Sequence, residues 1–546
     1  MDYDIIIKNG KIINGTGNPW FMADIGIRNG RIDKIGRIKQ GEAERIIDVK
    51  GLLVCPGFID AHSHSDFTIF FNNRVESAIR QGITTMITGQ CGSSLAPVNP
   101  ARMSTLLEHV SPSIPPGEKL NLDWTTFRGY LDRLEEVGCS SNLATLVGHG
   151  SVRIAVMGME ARPPTYEELG IMKMLVAEAM EAGAFGMSTG LIYPPGIFST
   201  TDEIVELCRV VAKYDGVYVS HIRGEGENLL DAVWEAIVIG ERAMVPVQIS
   251  HHKASGRKVW GKTEETLKLM EEARVRGVEV TCDQYPYIAG STSLVTVLPP
   301  WAHEGGIERL LSRLRDPETR EKIRYDIEHG LPGWHNLILS YGWENIVISS
   351  VKSEKNKIIE GKNLVEAMRL KDKPDEFTTL FDLLLEENGE ATIITFSMNE
   401  DDVRRVMKHP LQMVGTDSSS VAPYGPLARG KPHPRAYGTI PRILGKYVRE
   451  EGALSIEDAI RKMTSFPAQK FKLKGRGLIM EGFWADIVVL DPDKVIDKAT
   501  FQEPHQYPEG VEYVIVNGEV IVERGEHTGR LAGKVLRHSG KQGSFR

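Results

Sequence analysis

The chain has 546 residues, of which 41% are hydrophobic and 25% are charged, a composition typical of globular proteins. A net charge of −8 and a pI of about 6.1 exclude the basic surface that nucleic-acid binding requires. No stretch reaches the apolar length of a membrane span, and the N-terminal residues lack the basic and apolar regions of a signal peptide. We therefore expect a cytoplasmic protein with no nucleic-acid or membrane partner.

Both ends of the chain carry short apolar runs around an Asn-Gly pair. "DIIIKNGKII" and "DIGIRNGRIDKIG" lie near the start, and "EYVIVNGEVIVERG" lies near the end. Asn-Gly between two strands is the strongest short-range signal for a β-hairpin. We predict one small β-sandwich domain built from residues 1–55 and 478–535, and a loose polar tail after about residue 536.

The stretch "PGFIDAHSHSD", residues 56–66, is the first candidate functional motif. Side chains alternate along a strand, so His62 and His64 would share one face. Taken alone, the pair is more simply explained as two half-exposed imidazoles at a strand end. Only other parts of the chain can distinguish a metal site from that structural role.

The middle of the chain repeats a helical pattern followed by a short apolar strand. "EELGIMKMLVAEAMEAG" precedes "AFGMSTG", "DEIVELCRVVAKYDG" precedes "VYVSH", and two similar repeats follow. This alternation is typical of an α/β fold with a parallel sheet. Eight candidate strands end near His64, Cys91, His149, Ser188, His221, His251, Tyr285 and Asp417. They favour a TIM-like (β/α)8 barrel over residues 56–477. An open doubly wound sheet is the alternative, but no G-x-G-x-x-G follows the early strands.

The interval between Tyr285 and Asp417 is too long for one βα unit. Residues at about 290–400 are therefore predicted to form an insertion after the seventh strand. A long insertion on the active face of a barrel usually shapes a pocket or a lid.

Residues that can bind a metal lie at several of the predicted strand ends, which converge on one mouth in a barrel. Imidazole, thiolate and carboxylate together make a good Zn²⁺ ligand set. The candidates are His62, His64, Cys91, His221, His251 and Asp417. Each alone has a structural explanation, but their coincidence predicts a zinc site. We choose His251 over His252 because it directly ends the apolar run, and we leave His149 out of the metal set.

The chain has five cysteines, an odd number at wide spacings. In a reducing compartment we expect free thiols, mostly buried as small apolar side chains. At most one or two of them should have a chemical role.

The pattern resembles the metal-dependent amidohydrolase superfamily and, within it, the N-acyl-D-amino-acid deacylases (D-aminoacylases). The superfamily marks are "GFIDAHSHSD", His221, His251 and the late Asp417. The narrower marks are "GQCG" around Cys91, "STGLIYPPG", "SHIRGEG", "SHHKASG", "YPYIAGST" and "HPRAYGTIPRILGKYVRE". The resemblance covers nearly the whole chain.

The resemblance implies zinc-dependent hydrolysis of the amide bond of N-acyl-D-amino acids, and the D hand comes from it alone. Related enzymes often bridge two metals with a carboxylated lysine. The fourth strand, "FGMSTG", has no lysine, and Cys91 matches the cysteine that D-aminoacylases use instead. The resemblance implies one tightly bound zinc ion on Cys91, His221 and His251. A second, weaker position would use His62, His64, Cys91 and Asp417.

Amide hydrolysis needs an activated water and a proton for the leaving amine. Zn²⁺ activates water and polarises a carbonyl, and Asp417 is expected to accept the proton of the water and pass it to the departing nitrogen. Arg435 and Lys253 match family positions that hold the substrate carboxylate. Hydroxyl donors for the substrate are expected from Tyr193, Tyr285 and Tyr287. An ion pair between Arg223 and Glu225 is expected to support the site.

Two other hypotheses remain open at this point. A dipeptidase or a cyclic amidase of the dihydroorotase or hydantoinase type would use the same ligands. A non-catalytic binding scaffold is disfavoured, because every candidate ligand is present. Gln90, Ser418 and the long stretch "SVAPYGPLARGKP" depart from the family pattern. The last two lie beside the expected substrate pocket and leave side-chain and acyl preference open. The oligomeric state is not readable from the sequence.

Overall fold

The computed structural model describes residues 2–39 and 43–540. In chain order its strands are β1 (Tyr3–Ile12), β2 (Phe21–Arg28), β3 (Arg31–Gly36), β4 (Ala43–Asp48), β5 (Leu53–Pro56), β6 (Phe58–Asp60), β7 (Ile83–Thr88), β8 (Asn142–Thr145), β9 (Val147–Gly148), β10 (Gly186–Gly190), β11 (Val217–His221), β12 (Val247–Ile249), β13 (Val280–Gln284), β14 (Ala289–Ser293), β15 (Ile346–Ser350), β16 (Thr392–Phe396), β17 (Gln412–Val414), β18 (Ile487–Leu490), β19 (Val511–Val516), β20 (Glu519–Glu523), β21 (Glu526–His527) and β22 (Val535–Leu536).

The α-helices of the described residues are α1 (Glu76–Ile79), α2 (Met103–Val110), α3 (Phe127–Val137), α4 (His149–Met157), α5 (Tyr166–Ala182), α6 (Thr201–Lys213), α7 (Leu229–Ala243), α8 (Thr263–Val275), α9 (Ile307–Arg315), α10 (Pro317–His329), α11 (Leu337–Tyr341), α12 (Leu364–Leu370), α13 (Glu376–Glu386), α14 (Glu400–Lys408), α15 (Arg435–Arg442), α16 (Ile456–Met463) and α17 (Ser465–Lys470). A π-helix, Ile443–Glu450, continues directly from α15. Among the described residues, no helix combines the length and the apolar character needed to cross a membrane.

Two parallel sheets form the centre of the molecule. One has the order β17-β13-β12-β11-β10-β9, and the other has the order β22-β8-β7-β6. Backbone hydrogen bonds join them on both sides, from Ala61 N to Val414 O (3.1 Å) and from Phe185 N to Thr145 O (3.0 Å). Strands such as β7 and β11 are buried along their whole length, as expected for parallel strands covered by helices.

The helix–strand repeats predicted from the sequence are present. Helix α5 begins at a capping box, in which Glu168 N donates to the side chain of Thr165, and it ends at Gly183 with φ of +119°. Strand β10 follows, and α6–β11, α7–β12 and α8–β13 repeat the order. Because β10 to β13 pair in parallel, their carboxyl ends reach the same edge of the sheet.

The two ends of the chain share one mixed sheet, with the order β21-β20-β19-β18-β5-β1-β2-β3 and with β4 paired to β1. Strand β18 pairs antiparallel with β5, so Val488 lies opposite Cys55. The alternating inward residues of these strands, such as Ile7 and Ile487, pack in a shared apolar cluster.

Two of the three Asn-Gly pairs are hairpin turns. Asn29-Gly30 joins β2 to β3 and Asn517-Gly518 joins β19 to β20, and all four residues have positive φ. The expected turn at Asn9-Gly10 is wrong, because both residues lie inside β1, where pairing with β2 shifts register between Ile7 and Gly10. The result is a bulge. The turn signal is local, whereas pairing with β2 and β4 keeps this segment extended.

The predicted insertion has its own core. Strands β14, β16 and β15 form a small antiparallel sheet. Apolar residues of this sheet and of α9 to α13 pack in a cluster that includes Leu294, Leu314, Leu380 and Ile393. These residues therefore form a packed unit with its own apolar core rather than a loose loop.

The expected loose tail is wrong for its first residues. Strand β22 pairs in parallel with β8, and His538 N donates to Gly183 O at 2.8 Å. Polar composition indicated a solvated tail, but backbone pairing holds residues 535–538 against the central sheet. Residues 541–546 lie outside the described part of the chain.

Candidate metal centre and active site

Six side chains from the carboxyl ends of five strands meet at one place. His62 and His64 follow β6, Cys91 follows β7, His221 ends β11, His251 follows β12, and Asp417 follows β17. These are the residues that the sequence analysis singled out, and all except His64 are buried. Their meeting follows from the parallel strands, whose carboxyl ends share one edge.

The thiol of Cys91 lies at the centre of the group. Its Sγ is 3.4 Å from His62 Nε2, 3.6 Å from His221 Nδ1 and 3.5 Å from His251 Nε2. Donor atoms of His62, Cys91, His251 and Asp417 all lie within 4.8 Å of one another. These separations suit ligands that share one or two small cations.

Asp417 completes the group on the side of His62 and His64, which follow β6. Its Oδ1 is 3.2 Å from His64 Nε2 and 3.5 Å from His62 Nε2. Its Oδ2 is 2.7 Å from Arg435 Nη1. The carboxylate therefore lies between the imidazoles and a guanidinium.

Three of these residues have left-handed backbones. The φ angles are +51° at Cys91, +34° at His251 and +50° at Asp417. Non-glycine residues rarely adopt this conformation, and it is typically found where the surrounding structure holds a functional side chain in place. The backbone turns at these positions direct the sulfur, imidazole and carboxylate inward.

The local charges favour the ligand forms of the thiol and the carboxyl. Burial alone would raise the pKa of the Cys91 thiol, but the charge of His62 and hydrogen bonds from His221 and His251 hold it well below its usual range. Burial would also raise the pKa of the Asp417 carboxyl. There the charges of Arg435 and His251, together with the hydrogen bond to His64, keep the pKa well below its usual range.

The donor set fits zinc. Thiolate sulfur, imidazole nitrogen and carboxylate oxygen are its common protein ligands, and all three occur within this buried group. A second potential cluster contains His221, Glu225 and His251. The ammonium of Lys253 already contacts two of these three residues, at 2.5 Å from Glu225 Oε1 and 2.7 Å from His251 Nδ1.

The supporting ion pair differs from the expected one. Arg223 pairs with Glu235, with Nε 2.9 Å from Oε2, and Glu225 pairs with Lys253. Arg223 and Glu225 are close in sequence, but the chain turns between them. Arg223 also donates to the backbone oxygens of Ile197 and Ser199, away from the ligand group.

A cavity of about 450 Å³ opens onto the ligand group. Its wall includes Lys253, Arg435, Tyr193 and Tyr285 of the predicted substrate-binding residues, and apolar side chains of the insertion such as Leu310. Tyr193 lies against His221, with ring centroids 4.9 Å apart, and its hydroxyl accepts a hydrogen bond from Thr292 at 3.1 Å. The insertion therefore shapes the pocket, as a long insertion at this face is expected to do.

Tyr287 does not line this cavity. Its ring packs at 90° to His433 and under the guanidinium of Arg442. Its buried hydroxyl has no hydrogen-bond partner within the described residues. A spacing of two residues predicted that Tyr285 and Tyr287 face the same way, but this segment follows the end of β13 and is not extended.

Arg435 keeps unused donors. Its side chain is 6% exposed, and among the described residues its Nε and Nη1 atoms have no hydrogen-bond acceptor. Nη1 is close to Asp417, but the angles are not those of a hydrogen bond. A buried guanidinium with free donors beside a cavity is suited to a carboxylate ligand.

Two more buried side chains bear on the predicted site, those of His149 and Asp283. His149, which was left out of the metal set, bonds to Glu203 at 2.8 Å, away from the ligand group. Asp283 was missed. It lies in β13, and its Oδ1 is 3.3 Å from His62 Nδ1. An acid inside a wholly buried strand, "VTCDQ", was the available signal.

The sequence profile of the amidohydrolase family matches residues 45–320 and 375–522. A D-aminoacylase of Alcaligenes xylosoxydans xylosoxydans is 36% identical over 98% of this chain and 97% of that protein. The structure of an N-acyl-D-glutamate deacylase of Bordetella bronchiseptica, complexed with zinc and a phosphonate that mimics the tetrahedral intermediate, is similar with a TM-score of 0.81. It is 33% identical and covers 98% of this chain and 100% of that one.

A D-aminoacylase structure with a binuclear metal centre, described as showing activation by one metal and attenuation by a second, is 35% identical with a TM-score of 0.80. The similarity covers 98% of this chain and 100% of that chain. The three similarities extend over nearly the full length of every chain compared.

Proposed function

This chain belongs to the amidohydrolase family, and we propose that it hydrolyses the amide bond of N-acyl-D-amino acids to a carboxylate and a free D-amino acid. It is a metal-dependent hydrolase of linear amides. The observation that carries this proposal is the meeting of Cys91, four histidines and Asp417 at one cavity in a chain similar throughout to D-aminoacylases. The D hand follows from the activity of those relatives.

We propose that one zinc ion is held tightly by Cys91, His221 and His251. His62, His64, Cys91 and Asp417 would form a second, weaker position. The short distances from Cys91 Sγ to three imidazoles support a sulfur shared between the positions, and the binuclear centre of a relative supports two. When bound, zinc supplies a Lewis acid for the amide carbonyl and for the activation of water.

Asp417 is proposed as the general base and acid. Its carboxylate accepts the proton of the attacking water and then donates it to the departing nitrogen. The low pKa keeps the group ionised and ready to accept before each turnover. His64, 3.2 Å away, orients the carboxylate through Oδ1.

Arg435 is proposed to bind the substrate carboxylate through its guanidinium, whose Nε has no partner among the described residues and whose Nη1 lies at ion-pair distance from Asp417. Lys253 adds a positive charge at the cavity wall, although Glu225 already partners it. Tyr193 and Tyr285 line the same wall and supply hydroxyl groups. With the carboxylate and the scissile carbonyl fixed at two points, only one hand of the substrate directs its side chain into the cavity.

We propose that the protein has the architecture predicted from its sequence. This is a (β/α)8 barrel over residues 56–477 with an insertion at about 290–400, and a β-sandwich domain from residues 1–55 and 478–535. The bonds that join the two parallel sheets on both sides support a closed barrel. The five cysteines are all free, which supports a reducing, cytoplasmic location.

The test is a substrate panel of N-acetyl-D- and N-acetyl-L-amino acids, dipeptides and cyclic amides such as dihydroorotate. We expect turnover of the N-acetyl-D series, and assays of the Asp417→Asn variant reveal any contaminating hydrolase. Turnover of a cyclic amide or a dipeptide without the N-acetyl-D series would overturn the proposal.

A further inference from the structure

Asp283 is a buried carboxylate that contacts two of the proposed ligands at once. Its side chain is fully buried in β13. Oδ1 accepts a hydrogen bond from the backbone N–H of His251 at 2.7 Å and lies 3.3 Å from His62 Nδ1. Oδ2 accepts from Gln248 Nε2 at 2.9 Å. One carboxylate thus links the ends of the first and sixth parallel strands.

The contact with His62 determines which ring nitrogen faces the ligand group. Nδ1 lies 3.3 Å from Asp283 Oδ1, at ion-pair distance but without the angles of a hydrogen bond, whereas Nε2 faces Cys91 Sγ at 3.4 Å and Asp417 Oδ1 at 3.5 Å. A neutral imidazole carries one proton, and a carboxylate beside Nδ1 retains that proton there. The lone pair on Nε2 is then free to bind a cation.

The contact with His251 stabilises an uncommon backbone. His251 has φ of +34°, and its N–H donates to Asp283 while its Nε2 lies 3.5 Å from Cys91 Sγ. His62 and Asp283 leave no room for a side chain at Gly415, because a Cβ there would lie 2.6 Å from His62 Cβ and 3.2 Å from Asp283 Oδ1. The local geometry is therefore built around this carboxylate.

We infer that Asp283 is a positioning residue, which holds the tautomer of His62 and the backbone turn of His251 for metal binding. The inference rests on the proposed metal site. Carboxylates that bond to the remote nitrogen of a metal-binding histidine orient the ring and raise its basicity, and their loss typically lowers metal affinity by roughly 10–100-fold. A purely structural carboxylate would affect stability without affecting the metal.

The test is Asp283→Asn, measured in the purified full chain by zinc competition with a chelator and by the spectrum of the Co²⁺-loaded protein. We expect the zinc dissociation constant to rise by roughly 10–100-fold and the thiolate-to-cobalt band to shift. The matched control is Asp486→Asn. Asp486 is also a buried carboxylate, and its side chain bonds to Arg476, to Asn142 Nδ2 and to Asn517 N, none of which is a proposed ligand. The Asp486→Asn variant should bind zinc as the wild type does.

A folded Asp283→Asn variant with wild-type zinc affinity and an unchanged cobalt spectrum would overturn the inference. If that variant does not fold, Gln248→Met decides, because it removes the donor to Oδ2 and leaves the charge of Asp283 in place. We expect a smaller loss of zinc affinity in the same direction, and an unchanged affinity would overturn the inference. Failure of the wild type itself to bind zinc would overturn the proposed metal site as well.

Discussion

Arg435 Nη1 lies 2.7 Å from Asp417 Oδ2, which joins the proposed substrate-binding cation to the proposed general base. Arg435 comes from the start of α15 and Asp417 from the loop after β17. The guanidinium therefore has two effects: it presents donors to the cavity, and it lowers the pKa of the carboxyl.

Arg435→Lys and Arg435→Met should differ in their pH profiles. Both variants lose the planar guanidinium donors and should raise KM by about 10-fold or more. The ammonium of Lys is a point charge that cannot bind a carboxylate bidentately, and Met offers no donor. Arg435→Met also removes the positive charge that lowers the pKa of Asp417, so that pKa rises. The acid limb of kcat/KM should move to higher pH in Arg435→Met and stay nearly in place in Arg435→Lys. An acid limb at the same pH in both variants would contradict the proposed effect of the Arg435 charge on the pKa of Asp417.

Asp417→Asn should retain zinc and lose at least about 100-fold in kcat, the usual contribution of general acid–base catalysis. The amide cannot accept the proton of the water, whereas Cys91, His221 and His251 remain in place for the tight metal position. The measurements are zinc content and steady-state kinetics. Near wild-type kcat would remove Asp417 from its proposed role.

Cys91→Ser should lose most of its zinc, because a neutral hydroxyl is a poor substitute for a thiolate ligand. We expect less than about half an equivalent after gentle purification. Cys139→Ser makes the same change at another buried free thiol. It should keep its zinc, and equal zinc in both variants would exclude Cys91 as a ligand.

Tyr193→Phe and Tyr287→Phe test which tyrosine contacts the substrate. Tyr193 lines the cavity, and Thr292 donates a hydrogen bond to its hydroxyl. Loss of this hydroxyl in Tyr193→Phe should lower kcat/KM by roughly 10-fold, the cost of one hydrogen bond to a charged group. Tyr287 lies outside the cavity, and its buried hydroxyl has no partner among the described residues. Tyr287→Phe should leave KM unchanged and should not lower the melting temperature. A lower kcat/KM in Tyr287→Phe, with no change in Tyr193→Phe, would instead place Tyr287 in the substrate site.

Lys470 should make stability depend on pH in the alkaline range. Burial lowers its pKa to about 8, against the partly opposing charge of Glu279. The folded pKa is below that of the unfolded chain, so the unfolded chain binds more protons between pH 8 and about 10.5, and stability should rise with pH there. Lys470→Met should remove this contribution. Melting temperatures of both proteins near pH 7 and pH 10 measure it, and parallel pH dependences would contradict the prediction.

Local patterns in the sequence were sufficient for the helix–strand repeats and for choosing candidate ligands that the structure brings together. A helical period of 3.6 residues, a strand period of two and glycine at helix ends are read from neighbouring residues, and α5 with β10 follows them closely. Parallel strands then bring their carboxyl ends together. Cys91 and His221, which lie on different strands, could be assigned to one site for this reason.

The sequence by itself therefore determined most of the elements, their order and the identity of the candidate ligand side chains. The tertiary structure decided which atoms face one another. It made Asn9-Gly10 a bulge, paired Glu225 with Lys253 rather than Arg223, turned Tyr287 away from the cavity, and placed Asp283 between His62 and His251. These outcomes depend on backbone angles and on packing between segments distant in the chain, where a change of one rotamer or one register selects a different partner. Periodicity fixes the face on which a side chain lies, but not which side chain of a distant segment it meets there.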